Sequence, residues 1–137
     1  MAASQRGQRL IGSMLVLGGI VAAAPSRAAD EFPFGLEMTL DVAPMAGSKR
    51  RPTLDVGDSG ETRVELWCKG GVGQFSVAGN TVIFVPGAME ARSCTPVQTQ
   101  ADDALLASLA EATTWSRQGD AVAFAGPKSL RFRINTN

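Results

Sequence analysis

Cys68 and Cys94 are the only cysteines in the 137-residue chain, and two thiols can form a disulfide, bind a metal or exchange electrons. The chain has no histidine, and two thiolates alone do not complete a tetrahedral zinc shell. A thioredoxin-like pair needs Cys-x-x-Cys, whereas these cysteines are 26 positions apart. We therefore expect a structural disulfide worth roughly 3 kcal/mol by chain entropy, and neither a metal ion nor a cofactor.

The sequence offers few residues for other kinds of catalysis. Without histidine or tyrosine the usual general bases are scarce, and a Ser-His-Asp triad is excluded. Lysine stands beside serine only at Ser48-Lys49 and Lys128-Ser129, as neighbours in loop-like stretches. A carboxylate pair for glycoside cleavage is possible, for example Glu65 with Asp55 or Glu90, but thirteen acidic residues always allow such pairs. We expect that the protein is not an enzyme.

Five residues form a candidate binding surface: Trp67, Trp115, Arg92, Arg117 and Lys69. Exposed tryptophan beside arginine is typical of binding centres. The alternative, which the sequence favours, is that both tryptophans pack in a minor core between a helix and a sheet.

The start of the chain has the order of a secretory signal peptide. Two arginines precede an apolar run over residues 10–24, and small residues follow at a cleavage site after Ala28 or Ala29. The run is shorter than the roughly 20 residues of a membrane-spanning helix. No cysteine follows it closely enough for lipid attachment. We expect residues 1–28 to be removed, and the product to be periplasmic or secreted without stable membrane insertion.

Removal of residues 1–28 takes away three arginines and no acid, which leaves 10 basic against 13 acidic residues. An acidic product argues against a nucleic-acid partner. The basic stretch Ser48–Pro52 is interpreted as a solvated loop rather than as an anion site. Residues 29–137 have room for one domain.

Alternation of apolar and polar residues predicts a mostly β structure in this domain. The predicted inward-facing residues are Leu36, Met38, Leu40, Val42, Val64, Leu66, Cys68, Phe75, Val77, Val122, Phe124, Leu130, Phe132 and Ile134. Turns are predicted at Gly57–Glu61, Ala78–Asn80 and Gly126-Pro127. The glycine-rich stretch Lys69–Gly73 is interpreted as a loop between strands.

One helix interrupts the strands. In residues 101–114 Leu105, Leu106, Leu109 and Ala112 recur at helical spacing, and either acid of the pair 102–103 would cap the first turn. The predicted fold is α+β and mostly β: a single small antiparallel sheet or partly closed barrel with one amphipathic helix packed on it.

The order of these parts resembles the META domain, or HslJ-like, family. The shared pattern is a cysteine, a hairpin, Cys94-Thr95-Pro96, a Leu-rich helix that ends at Trp115, and the stretch Gly119–Phe132. The chain departs from the family at Trp67–Lys69, where many members have Gly-Cys-Asn, and before the second cysteine at Glu90–Ser93. The resemblance implies an envelope protein connected with stress or antibiotic tolerance, without established catalytic residues.

Two functions from different classes follow. The preferred one is a non-enzymatic exported domain that binds an envelope protein or small ligand, or supports envelope integrity under stress, as a monomer. The alternative is an inhibitor of a lytic enzyme such as lysozyme, which would need a projecting loop. Gly47–Pro52 and Val72 with its flanking glycines are the candidate loops, but the cations of the first would repel a basic lysozyme.

Overall fold

The computed structural model describes residues 31–136 and the single positions 12, 16, 18 and 19. The expected signal peptide, apart from those four positions, and its cleavage site lie outside the described residues. Within the described part of the chain, no helix is long and apolar enough to cross a bilayer.

Eight strands and one helix make up the domain. The strands are β1 Glu37–Leu40, β2 Thr53–Val56, β3 Glu61–Glu65, β4 Gly70–Ala78, β5 Thr81–Met89, β6 Thr114–Gln118, β7 Ala121–Ala125 and β8 Leu130–Ile134, and the helix α1 is Pro96–Glu111.

Each strand pairs antiparallel with the next along the chain, and β8 pairs with β1, so that the pairings close into a ring. The predicted fold class, mostly β with one helix, is confirmed. The pairing is extensive except between β5 and β6, which share a single residue pair, Thr81 with Thr114.

Helix α1 compensates for this short pairing. It leaves the end of β5, packs back along that strand and places Leu105 and Leu109 in the core. It begins earlier than predicted, because Thr95 caps it: the Thr95 hydroxyl accepts from the Gln98 N–H and the Gln98 side chain accepts from the Thr95 N–H. The expectation that Asp102 or Asp103 caps the first turn was therefore wrong.

Side chains from alternate strand positions fill the inside of the ring. Phe75 stacks on Phe124 at 5.6 Å between ring centres, and Phe124 meets Phe132 edge to face at 5.7 Å. Of the predicted inward positions, Leu36 and Val42 lie beyond the ends of β1 and are exposed. The core consists of Phe32, Met38, Leu40, Leu54, Val56, Val64, Leu66, Phe75, Val82, Phe84, Leu105, Leu109, Ala112, Val122, Phe124, Phe132 and Ile134.

The glycine-rich stretch before Phe75 is a strand and not a projecting loop. Val72 pairs with Arg63 across β3 and β4, and the register with β5 shifts between Gly71 and Gly73. A Cβ atom at Gly73 would overlap the ring of Phe84, so the close approach of two strands requires glycine there. This finding removes one of the two loops considered for an enzyme inhibitor.

Asp102 lies on the buried side of α1 and is fully buried. Its carboxylate accepts the backbone N–H of Trp67 at 2.9 Å and that of Lys69 at 2.8 Å, and the N–H of Cys68 lies 3.3 Å from it. These donors form the turn between β3 and β4. The contact therefore fixes the helix to that turn through charge-assisted hydrogen bonds.

The substitution Asp102→Asn is expected to lower the free energy of unfolding by about 3 kcal/mol, because an amide cannot accept from all three N–H groups. Urea unfolding of the oxidised protein measures this loss. The matched control is Asp103→Asn, at an exposed neighbour, with an expected change within about 0.5 kcal/mol. Equal losses in the two variants would contradict the role given to Asp102.

Candidate functional site

The turn that Asp102 holds also carries Cys68, and Cys94 lies just before α1. The two Cα atoms are 5.9 Å apart, a separation typical of a disulfide. The geometry is compatible with the expected pairing, which ties the β3–β4 turn to the segment between β5 and α1. Within the described residues neither cysteine is free.

An ion-pair network surrounds this cysteine pair. The Glu65 carboxylate accepts from Arg50 at 3.2 Å and from Arg92 at 3.3 Å, and Arg92 also donates to Glu90 at 2.6 Å. Both guanidinium groups donate to the carbonyl oxygen of Cys68, at 2.9 and 3.1 Å. Arg50, Glu65, Glu90 and Arg92 with the two cysteines are called the disulfide corner below.

The ion pair between Glu90 and Arg92 shifts both groups away from their ordinary titration. The hydrogen bond and the charge of Arg92 lower the pKa of Glu90, and the hydrogen bond from Glu90 raises the pKa of Arg92. The pair therefore stabilises the fold above the ordinary carboxyl pKa, and this contribution is lost as the pH falls through the lowered pKa of Glu90.

A groove of about 550 Å³ lies beside the corner, on the outer face of β2, β3 and β4. Three glycines are among its lining residues. Next to them the side chains of Arg92 and Glu65 cover Gly70, where a Cβ atom would lie 2.8 Å from both. Asp55 and Arg63 are opposite each other in register, and Val72 is 53% exposed. The groove thus offers mixed charges and an apolar side chain to a ligand. It is lined by Asp55, Gly57, Glu61, Thr62, Arg63, Glu65, Gly71, Val72, Gly73 and Glu90.

The two tryptophans lie far from each other. Trp67 is half-buried against the core in the turn before β4, and its indole nitrogen is buried without a partner among the described residues. Trp115 lies on β6, packs edge to face on Phe32 at 5.2 Å, and donates its indole N–H to the carbonyl of Gly79.

The five candidate residues therefore fall into two groups. Trp67, Lys69 and Arg92 lie at the disulfide corner, whereas Trp115 and Arg117 lie near the other end of β4. Nine strand residues separate the two groups, which is roughly 30 Å. Arg117 donates to the carbonyls of Gly119 and Glu31, so its guanidinium braces the chain before β1.

The sequence interpretation did not bring together Arg50, Glu65 and Arg92, which are 15 and 27 positions apart. Their link depends on the register of the ring, which no local pattern reports. Among the described residues, no group of three or more acidic or cysteine side chains is placed to hold a metal ion.

The protein is a small antiparallel β domain: its strands pair in a ring, one helix packs on the ring, and a cysteine pair lies at one end. The family model of the META domain matches residues 37–134, and the chain belongs to that family. It is similar in fold to a protein from Burkholderia xenovorans whose structure was determined by NMR. The two share 17% identity and a TM-score of 0.62 over 85% of this chain and 100% of that one. No curated protein matches the chain significantly.

The substitution Arg92→Gln is expected to raise the pKa of Glu90 towards its ordinary value, since Arg92 is the main cause of the shift. An NMR titration of the Glu90 carboxyl carbon measures it. In the control Arg50→Gln, which removes a contact to Glu65 but none to Glu90, the pKa of Glu90 should stay low. A pKa unaffected by Arg92→Gln would contradict the assignment.

Replacement of both cysteines by serine is expected to lower the free energy of unfolding by roughly 3 kcal/mol, because the unfolded chain without the cross-link has more conformational entropy. Chemical unfolding of the oxidised protein and the double variant gives the difference. Thiol titration of the denatured protein, recovered from an oxidising compartment, is the direct check. Two free thiols there would show that the pair does not form.

Proposed function

We propose that this META-domain protein is a non-enzymatic exported domain that binds an envelope component and supports envelope integrity under stress. The binding surface is the outer groove on β2, β3 and β4. The observation that carries the proposal is this groove, which places apolar, acidic and basic side chains side by side on a rigid ring of strands.

The use made of the charged groups favours binding over catalysis. Asp102, the buried carboxylate of the described residues, is occupied by backbone N–H groups. Glu65 and Glu90 at the groove are each paired with an arginine. A general acid or base must present its carboxyl oxygens to the substrate, whereas these carboxylates accept hydrogen bonds from groups of the protein itself.

Export is the second part of the proposal. The N-terminal sequence has the order of a signal peptide, and the cysteine pair suits an oxidising compartment. A domain of this size has a modest core, so a disulfide adds useful stability.

The test is capture of envelope components by immobilised protein. The groove variant is the double substitution Arg63→Gln and Val72→Ser, at two exposed positions of the groove. It should lose the captured component, because both the charge and the apolar contact are removed. The same variant should fail to restore the tolerance to envelope stress of a strain that lacks the protein.

The matched control is the double variant Arg131→Gln and Val85→Ser, which makes the same chemical changes at two exposed positions outside the groove. It should retain capture and restore tolerance. Loss of capture in the control alone would place the binding surface outside the groove. Chemical conversion of the captured component during incubation with the protein would show an enzyme instead.

A further inference from the structure

The strand order divides the connections of the domain between two ends. Because successive strands run in opposite directions, alternate connections lie at the same end. The end with the disulfide corner, called the basic end below, is formed by connections 41–52, 66–69, 90–95 and 126–129. The opposite end is formed by segment 31–36 and connections 57–60, 79–80 and 119–120. Residues 112–113, after helix α1, lie against Ala125 and Gly126 instead.

Charge is unevenly distributed between these ends. The connections of the opposite end carry three carboxylates, those of Glu31, Asp58 and Asp120, and no cation of their own. One cation of a strand, Arg117 of β6, donates to carbonyl groups at this end. The connections of the basic end carry two carboxylates, Asp41 and Glu90, and Glu65 at the end of β3 adds a third, against six cations. Those cations are Lys49, Arg50, Arg51, Lys69, Arg92 and Lys128.

The pairing of the charges leaves the excess at the basic end accessible. Glu90 is bonded to Arg92, and Asp41 lies 3.7 Å from Arg133 of β8. Within the described chain no ion pair involves Lys49, Arg51 or Lys128, and all three are exposed. The positive charge at this end therefore faces the solvent.

An uncharged loop tip stands beside these cations. Residues 42–47 read Val-Ala-Pro-Met-Ala-Gly, directly before the basic run 49–51. Val42 is 38% exposed, Ala43 and Pro44 are exposed, and Met45 is half-buried. Apolar side chains next to cations are the combination by which amphipathic segments bind a bilayer interface.

We propose that the basic end docks on the surface of an anionic phospholipid bilayer. The cations contact lipid phosphates, and residues 42–47 enter the headgroup region. The acidic opposite end is repelled, so that the ring stands end-on and its outer groove remains open to the envelope component of the proposed function. The inference rests on that function only in assuming that export brings the protein to an envelope membrane.

The apolar tip is the reason for choosing a bilayer rather than a soluble polyanion. A soluble polyanion would interact favourably with the cations alone. The exposed side chains of Val42 and Pro44 contribute to binding only where they leave water for an apolar environment, as at a bilayer interface. The excess of acids elsewhere on the chain also disfavours wrapping by a long polyanion.

The test measures binding of the purified protein to vesicles of phosphatidylcholine, with and without phosphatidylglycerol. We expect tighter binding to the anionic vesicles, weakened by added salt because surface charges are screened within a Debye length of about 10 Å. The double variant Lys49→Gln and Arg51→Gln should weaken that binding by roughly 30-fold, about fivefold for each cation.

The matched control is Arg63→Gln with Arg117→Gln, which removes the same charge away from the basic end and should change binding less than about twofold. All variants carry the same N-terminal segment, so their differences report on the domain. A third variant, Val42→Ser with Pro44→Ser, should weaken binding to vesicles but leave binding to the soluble probe polyphosphate unchanged.

Several outcomes would overturn the inference: equal binding to neutral vesicles, equal loss in the matched control, or binding to polyphosphate but not to anionic vesicles. Circular dichroism of each variant separates a loss of binding from a loss of fold. The two proposals fail separately. Absent vesicle binding with intact capture of the envelope component removes only the bilayer inference, and the reverse removes only the proposed function.

Discussion

The carboxylate of Asp102 accepts backbone N–H groups from Trp67 to Lys69, and the position of helix α1 depends on this contact. The turn between β3 and β4 has N–H groups that no neighbouring strand accepts, and a buried carboxylate needs donors of its own. The carboxylate accepts the N–H groups of the turn, and the turn supplies the donors that the buried carboxylate needs. Because the helix is thereby fixed at the disulfide end, its apolar side covers the length of β5 that has no pairing with β6. The helix therefore covers the side of the ring where the strand pairing is shortest.

Local patterns in the sequence were sufficient to predict most of the strands and the helix. Alternation identified the buried residues of β7 and β8, such as Phe124 and Phe132, because side chains on a strand alternate between two environments. The start of the helix was misplaced for a physical reason. An acid near a helix start is favourable through the dipole, so Asp102 looked like a cap, whereas its partners are 33 to 35 positions away in the chain. The Thr95–Gln98 capping box marks the observed start, but the sequence interpretation did not use it.

The candidate site was less accessible to sequence reasoning. Two of the proposed residues, Lys69 and Arg92, do lie with Trp67 at one corner, since the cysteine pair brings their segments together. Trp115 and Arg117 do not, because β6 pairs with the start of β5 rather than with its end. The alternation of residues along one strand indicates which face of the sheet a side chain is on. It does not indicate which residue of the neighbouring strand lies opposite. That distance is set by the register of the whole ring, including the shift at Gly71 and Gly73.

The disulfide corner links the stability of the domain to the charge of its end. Glu65 and Glu90 lie near that end, and each is neutralised by an arginine that also braces the turn or the adjoining segment. Carboxylates left free there would offset the nearby lysines, and an offset charge attracts no anionic surface. The ion pairs inside the disulfide corner thus have two effects. It holds the β3–β4 turn on the segment before the helix, and it leaves the cations of the neighbouring loop, Lys49 and Arg51, uncompensated at the basic end.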